Sequence, residues 1–251
     1  MIIYSGTKTD FMTEVEEDTI AYSVRDTIYK KMHRSTGQAE FRSWINSLEY
    51  MYKVLNDDEI PRNSGIAIEY NIPNTAKRVD FLISGYDRER SENVVIIELK
   101  QWETLNKVVG SDGLVETFTG GANRPVVHPS YQAWSYAEII RDYNEYAQIA
   151  NVKLWPCAYL HNYLRVENDP LDDPQYRTYL DDAPAFAKGD VKKLRAFIKN
   201  VVKEGDDNRI LYEIDNGRIK PSKSLQDAIV GMLENNPEFT LSGNSLGAFS
   251  I

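Results

Sequence analysis

A chain of 251 residues with 42% hydrophobic and 27% charged residues can bury a substantial core, which excludes disorder as the default state. One cysteine, Cys157, excludes an internal disulfide framework, and three scattered histidines, His33, His128 and His161, leave no Cys/His cluster for structural zinc. A net charge of −9 argues against a surface that coats nucleic acid indiscriminately, because such binding comes from Lys and Arg neutralising phosphates, although a local basic patch can still supply it.

The opening run from Met1 to Lys8 lacks the basic-then-apolar plan of a signal peptide. No stretch approaches the roughly 20 apolar residues of a membrane span, so a cytoplasmic protein without membrane contact is expected. From about Glu14 to Met32 the pattern is mixed helical. It is clear from Phe41 to Leu55, where Phe41, Trp44, Ile45, Leu48, Met51, Tyr52 and Leu55 form one apolar stripe. Asn56-Asp57-Asp58 and the Pro61 to Gly65 segment end that helix. A strand from Ile66 to Ile72, a turn over Pro73 to Ala76 and a strand from about Lys77 to Ser84 predict a hairpin. The continuous apolar run Val94 to Lys100 predicts a strand buried on both faces in the sheet centre.

Residues Glu103 to Val127, rich in Gly, Thr, Asn and Asp, read as a long mobile loop. Ser130 is placed to cap a helix reaching about Ile149, and Lys153 to Leu160 reads as a fourth, buried strand. Asp190 is placed to cap a helix from Val191 to Val202. A short strand pair around Ile210 to Ile219 and a helix from Ser222 to Leu233 follow. The order helix, hairpin, strand, helix, strand predicts an α/β fold with helices flanking a central mixed β-sheet. No Gly-x-x-x-x-Gly-Lys-[Ser/Thr] phosphate loop occurs, so ATP hydrolysis is not expected.

Within this frame the strands carry charge where apolar runs seldom do. Asp80 sits in the second hairpin strand, and Glu98 and Lys100, two apart, share a face at the end of the most apolar strand. Two carboxylates can hold a hard divalent cation, Mg²⁺ or Mn²⁺, and an ammonium beside them can orient water or offset charge on a phosphate. The backbone carbonyl of Leu99 is a further ligand on chemical grounds. A four-residue connection pairs Ile72 with Lys77 and so sets Glu69 opposite Asp80. Two like charges there need a cation between them, which a metal, Lys100 or Arg78 can provide; alternatively Glu69 is a solvated hairpin residue. Gln132 and Tyr136 share a helical face and can bind a carboxylate, a lysine or a phosphate oxygen, although their spacing alone favours Tyr136 in the core and Gln132 exposed. Trp102, just past the charged strand end, is placed to stack on a substrate strand, whereas most other aromatics fall at core spacing.

Arg78-Val79-Asp80, Glu98-Leu99-Lys100 and Gln132-x-x-x-Tyr136 together resemble the PD-(D/E)XK nuclease superfamily, in particular its branch with a Gln-x-x-x-Tyr motif. The wider chain, to about Phe239, is similar to the amino-terminal nuclease-like domain that precedes a helicase-like ATPase in bacterial and phage proteins. Ser43-Trp44-x-Asn46-Ser47-Leu48 and His128 to Tyr136 carry that likeness. The resemblance implies a restriction-endonuclease-like fold in a single domain over 1–239; the sequence after it departs from an ATPase start, which reads as a stand-alone or truncated version, and the small, polar residues of the 240–251 tail predict poor order. The resemblance also implies Mg²⁺- or Mn²⁺-dependent hydrolysis of phosphodiester bonds in DNA, or else RNA. Asp80 and Glu98 would be metal ligands, Lys100 would lie near the attacking water, and Gln132 and Tyr136 would support the site. A helicase-like ATPase is the partner it suggests. Val79 stands where the superfamily's name has proline, and Glu16, Glu17, Glu40 and Glu49 all remain open as the first-helix acid. The rival expectation is a non-catalytic module that keeps the fold and binds nucleic acid or a partner.

Overall fold

The structure, a computed structural model, describes residues 1–235. It is an α/β fold built on a mixed six-stranded sheet in the order β1-β2-β3-β4-β8-β9. β1 (Ile2–Thr7), β2 (Gly65–Asn71), β3 (Arg78–Tyr86) and β4 (Glu92–Lys100) run antiparallel in succession. β8 (Lys153–Leu160) and β9 (Ala185–Ala187) then add parallel to β4. β4 is central and buried on both faces, as its unbroken apolar run requires.

Alternate residues of β4 feed two cores. Val95 and Ile97 pack beneath α1 (Lys8–Glu16), α2 (Ile20–Met32) and α3 (Gln38–Leu55), where Phe11, Val24, Leu48 and Met51 are fully enclosed. Val94 and Ile96 pack on the opposite face against Tyr136, Ala137 and Ile140 of α4 (Pro129–Tyr143). α4 forms part of the long crossover that a parallel β4–β8 pair requires. α5 (Glu145–Ile149) completes it.

Several expectations need correction. The segment over 103–127 is no loop but a second sheet of β5 (Asn106–Lys107), β6 (Leu114–Thr119) and β7 (Ala122–Val127). Gly120 and Gly121, which look like loop breakers in sequence, both have positive φ and form the two-residue turn between β6 and β7, the backbone geometry that Gly-Gly supplies without strain. Val115 and Thr117 turn inward, toward a third core with Leu105, Leu160 and Tyr176. Two short 3₁₀ turns, Pro170–Asp172 and Pro174–Tyr176, and α6 (Arg177–Leu180) lead from β8 toward β9.

α4 is capped by His128 rather than Ser130, and it ends at Tyr143 because Asn144 leaves helical geometry and caps α5 instead. Asp190 sits at the N-cap of α7 (Val191–Val201), but its carboxylate makes no cap bond. It accepts from the Ala187 N–H and from Arg165. The expected strand pair at 210–219 is largely helix α8 (Arg209–Asn216), which buries Ile210, Leu211 and Ile214 and leaves Tyr212 outside. β1 was not foreseen: a six-residue edge strand at the chain start has no turn signal before it. α9 (Lys223–Asn235) agrees with expectation, and the tail over 240–251 lies outside the described residues. Among the described residues no helix is long and apolar enough to cross a membrane.

Candidate active site

The hairpin register is the one the turn predicts, with Asn71 opposite Arg78, Tyr70 opposite Val79 and Ile68 opposite Phe81. Glu69 and Asp80 therefore face each other across the ladder, and both strands change phase there. Ile66 and Ile68 enter the core beneath α1–α3, while Tyr70 and Ile72 enter the opposite one. On β3, Phe81 and Ile83 go to the first core and Val79 and Leu82 to the second. A regular strand cannot do this, since residues two apart share a face. Glu69 resets the alternation through a left-handed backbone, φ +59°. That geometry costs a non-glycine residue on the order of 1–3 kcal/mol and tends to mark functional sites.

The reset opens a cleft of about 600 Å³ between α3, the β2–β3 hairpin, the end of β4 and α4. Asp80, Glu98, Leu99, Lys100, Gln132, Tyr136 and Glu69 all line it, so every residue singled out from sequence as catalytic or metal-binding reaches one place. Glu98 is 2% exposed. Its Oε1 accepts from the Lys100 ammonium at 2.6 Å, and its Oε2 is buried with no hydrogen-bond partner. Lys100 Nζ also donates to Gln132 Oε1 at 3.1 Å, and Gln132 Nε2 donates to the Tyr136 hydroxyl at 2.6 Å. Asp80 Oδ2 accepts from the Leu99 N–H at 2.9 Å, fixing one carboxylate against the strand that carries the other.

Burial first, and then Asp80, push Glu98 well above the usual carboxylate range, with Lys100 opposing. Burial works against the Lys100 ammonium, but Glu98 and Asp80 outweigh it and raise its pKa. Tyr136 is raised by burial and then by Glu98, so it stays a neutral phenol. Both expectations for the Gln132 and Tyr136 pair are met in part: Tyr136 is buried in the core, yet its hydroxyl reaches the cleft through Gln132. Trp102 is half-buried, with the Lys100 ammonium 5.2 Å from its ring centre.

The cation beside Glu69 is Arg78, whose Nε lies 2.7 Å from Glu69 Oε2; the Trp44 indole N–H donates to Oε1 at 2.8 Å. Burial still pushes Glu69 up to about 7, with Arg78 lowering and Asp80 raising it. Of the four first-helix acids only Glu40 lines the cleft. Burial opposes its charge, but hydrogen bonds from Arg34 and Arg78 hold it below the usual range. Arg34, Ser43 and Ser47 were missed as lining residues. Ser43 and Ser47 accept from the Gln101 amide, which ties the exit of β4 to α3, and Ser47 Oγ lies 3.0 Å from His161 Nε2. The Ser43 to Leu48 phrase was the only sequence signal for them.

The donor set fits a hard divalent cation. Asp80 and Glu98 present two neighbouring carboxylates, one with an orphaned buried oxygen, and the cleft lining holds one carboxylate more than it holds cations. Among the described residues no three His, Cys, Asp or Glu side chains form a closed metal cage. The protein's share would be these two acids with a main-chain oxygen near Leu99, and Mg²⁺ accepts few protein ligands because it keeps water and takes substrate oxygens. Comparison with protein-family models, with curated proteins and with solved structures gave no match.

Proposed function

We propose that the cleft is the active site of a metal-dependent phosphodiesterase acting on nucleic acid, DNA in the first instance, in a restriction-endonuclease-like member of the PD-(D/E)XK superfamily. The observation that carries this is Glu98: a fully enclosed carboxylate with one unpartnered oxygen, beside a second acid and a buried lysine. A buried carboxylate beside a second acid has a poor folded-state energy unless positive charge beyond that of Lys100 joins it, and a perturbed carboxylate in a cleft tends to mark a functional site. Asp80 and Glu98 would hold Mg²⁺ or Mn²⁺, which supplies Lewis acidity toward the phosphodiester and the attacking water.

The chain's own part is to place charge and protons. Lys100, held at one angle by Glu98 and Gln132, presents a fixed positive charge where a phosphate oxygen gains negative charge. Gln132 donates to the Tyr136 oxygen, which leaves the phenol hydrogen to reach a substrate oxygen in the cleft. Arg78 and Arg34 stand on the opposite wall, held by Glu40. A cytoplasmic setting and a helicase-like ATPase as partner belong to the same proposal.

A binding module that keeps the fold is the second reading. The close Lys100–Glu98 contact and the Leu99–Asp80 bond favour it, since they hold both acids without a metal ion. Cleavage of labelled single- and double-stranded DNA and RNA with Mg²⁺ or Mn²⁺ separates the two. Wild type is expected to cut, and Glu98→Gln and Lys100→Ala to lose about a hundredfold or more in rate. Wild type that binds Mn²⁺ yet cuts none of the substrates makes the protein a binding module.

A further inference from the structure

The cleft continues beyond its rim. Arg34 lines it and also lines a second groove of about 420 Å³ at the α2–α3 elbow, together with Arg25, Asp26, Tyr29, Lys30, Ser35 and Thr36. Between Arg25 and Thr36 the sequence has four basic residues, Arg25, Lys30, Lys31 and Arg34, and one acid, Asp26. That is a local excess of positive charge in a chain whose net charge is −9.

Part of that charge is used internally, since Glu40 holds the Arg34 guanidinium through two hydrogen bonds and the Lys31 ammonium donates to the Ile2 carbonyl at 3.0 Å, which leaves Lys30 and Arg25 the less engaged cations. The Lys30 ammonium has no ion pair among the described residues; Arg25 makes an ion pair of small strength with its exposed neighbour Asp26 at 3.3 Å and lies over the Tyr22 and Phe41 rings, 4.9 and 5.3 Å from their centres. Aromatic rings are interleaved with the cations. Tyr22 and Tyr29 are 49% and 66% exposed, and Tyr22, Arg25 and Tyr29 share one helical face at i, i+3, i+7. The rise from Arg25 to Met32, a residue of the cleft, is roughly 10 Å, or about three steps of a nucleic-acid strand at 3.4 Å each. Exposed rings can stack on bases only where the bases are unpaired, and cations beside them follow the phosphates.

We infer that the α2–α3 elbow is the track by which a single DNA strand enters the cleft, with Tyr29 stacked on a base and Arg25, Lys30 and Arg34 following the phosphates. This extends the phosphodiesterase reading of the cleft and rests on it for the strand's destination, but binding to the track is measured without cleavage. The test is anisotropy of a short labelled oligo(dT) with the full chain in EDTA, over a salt series. Tyr29→Ala weakens binding by about tenfold or more, and Lys30→Ala lowers the slope of log affinity against log salt by about 0.7. Lys192→Ala, on α7 outside both grooves, makes the same change in net charge and leaves affinity and slope unchanged. Both elbow variants are exposed substitutions, checked for intact folding by thermal melting. Wild-type affinity in both variants, no binding by wild type, or tighter binding of duplex DNA or of the matching RNA overturns the track. Elbow-dependent binding without metal-dependent cleavage leaves the track standing and removes the phosphodiesterase; cleavage indifferent to both elbow variants does the reverse.

Discussion

At φ +59°, Glu69 gives up the alternation of a strand and holds its carboxylate among Trp44, Arg78 and Asp80. Burial raises it to about 7, against a usual value near 4.5. Between those values the folded state binds the proton that the unfolded state has released, so this residue's contribution is intact below about pH 4.5 and is lost as pH rises toward 7. In EDTA, Glu69→Gln is therefore expected to match wild type near pH 4 and to exceed it near pH 8 by on the order of 3 kcal/mol, read from urea unfolding. Parallel pH profiles for the two proteins would show that Glu69 titrates as an ordinary carboxylate. The pairing of Glu69 with Asp80 was legible in the sequence, because turn length sets hairpin register. Which cation answers Glu69 was not legible: the choice fell to Arg78 through side-chain reach across the cleft wall.

At the scale of an element, α4 carries Gln132 and Tyr136, and its start decides where they point. His128 Nδ1 accepts from the Ser130 N–H, so Nε2 carries the proton and donates to the Leu171 carbonyl at 3.1 Å. Fully buried and neutral, His128 is held down to about 4 by desolvation, with the Leu171 bond opposing. A depressed histidine contributes stability that is present above the unfolded value of about 6.5 and is lost as pH falls toward 4. Replacement of His128 by Gln should flatten that rise by up to about 3 kcal/mol and cost about 1 kcal/mol near pH 8 through the weakened cap. An unchanged acid limb in denaturant titrations would rule out this role. The sequence pointed to Ser130 because serine is the commoner cap; histidine caps here only because the Leu171 turn comes back to hold its other nitrogen. The β5–β7 sheet escaped notice for a related reason. Its strands are short and polar, and they are strands because β6 finds Leu105, Leu160 and Tyr176 to pack on.

For the whole molecule, the sheet's two faces bring α3 and α4 to opposite sides of β4, and the cleft forms where the end of β4 leaves the shelter of both. If Asp80 and Glu98 hold a metal there, as proposed, a divalent ion should bind the folded chain alone and stabilise it by mass action. At a Mn²⁺ concentration about a hundredfold above Kd the gain is about 2.7 kcal/mol, a rise in Tm of roughly 5 to 10 °C for a chain of this size. Asp80→Ala should abolish the rise in a thermal-shift titration. An equal rise in that variant would place the bound metal elsewhere.

The sequence by itself determined the α/β class, the β2–β3 hairpin and its register, the buried central strand, and the shared positions of Asp80, Glu98, Lys100, Gln132 and Tyr136. These rest on local rules: periodicity, turn length and the two-residue repeat of a strand. Tertiary structure alone decided that β8 joins β4 in parallel, that 210–216 is helix, and that Arg34 links the cleft to the α2–α3 elbow. Each of those depends on contacts between residues far apart in the chain. A short apolar run is equally compatible with helix or strand until the surface it must cover exists, and an arginine's partners are fixed only when distant elements meet.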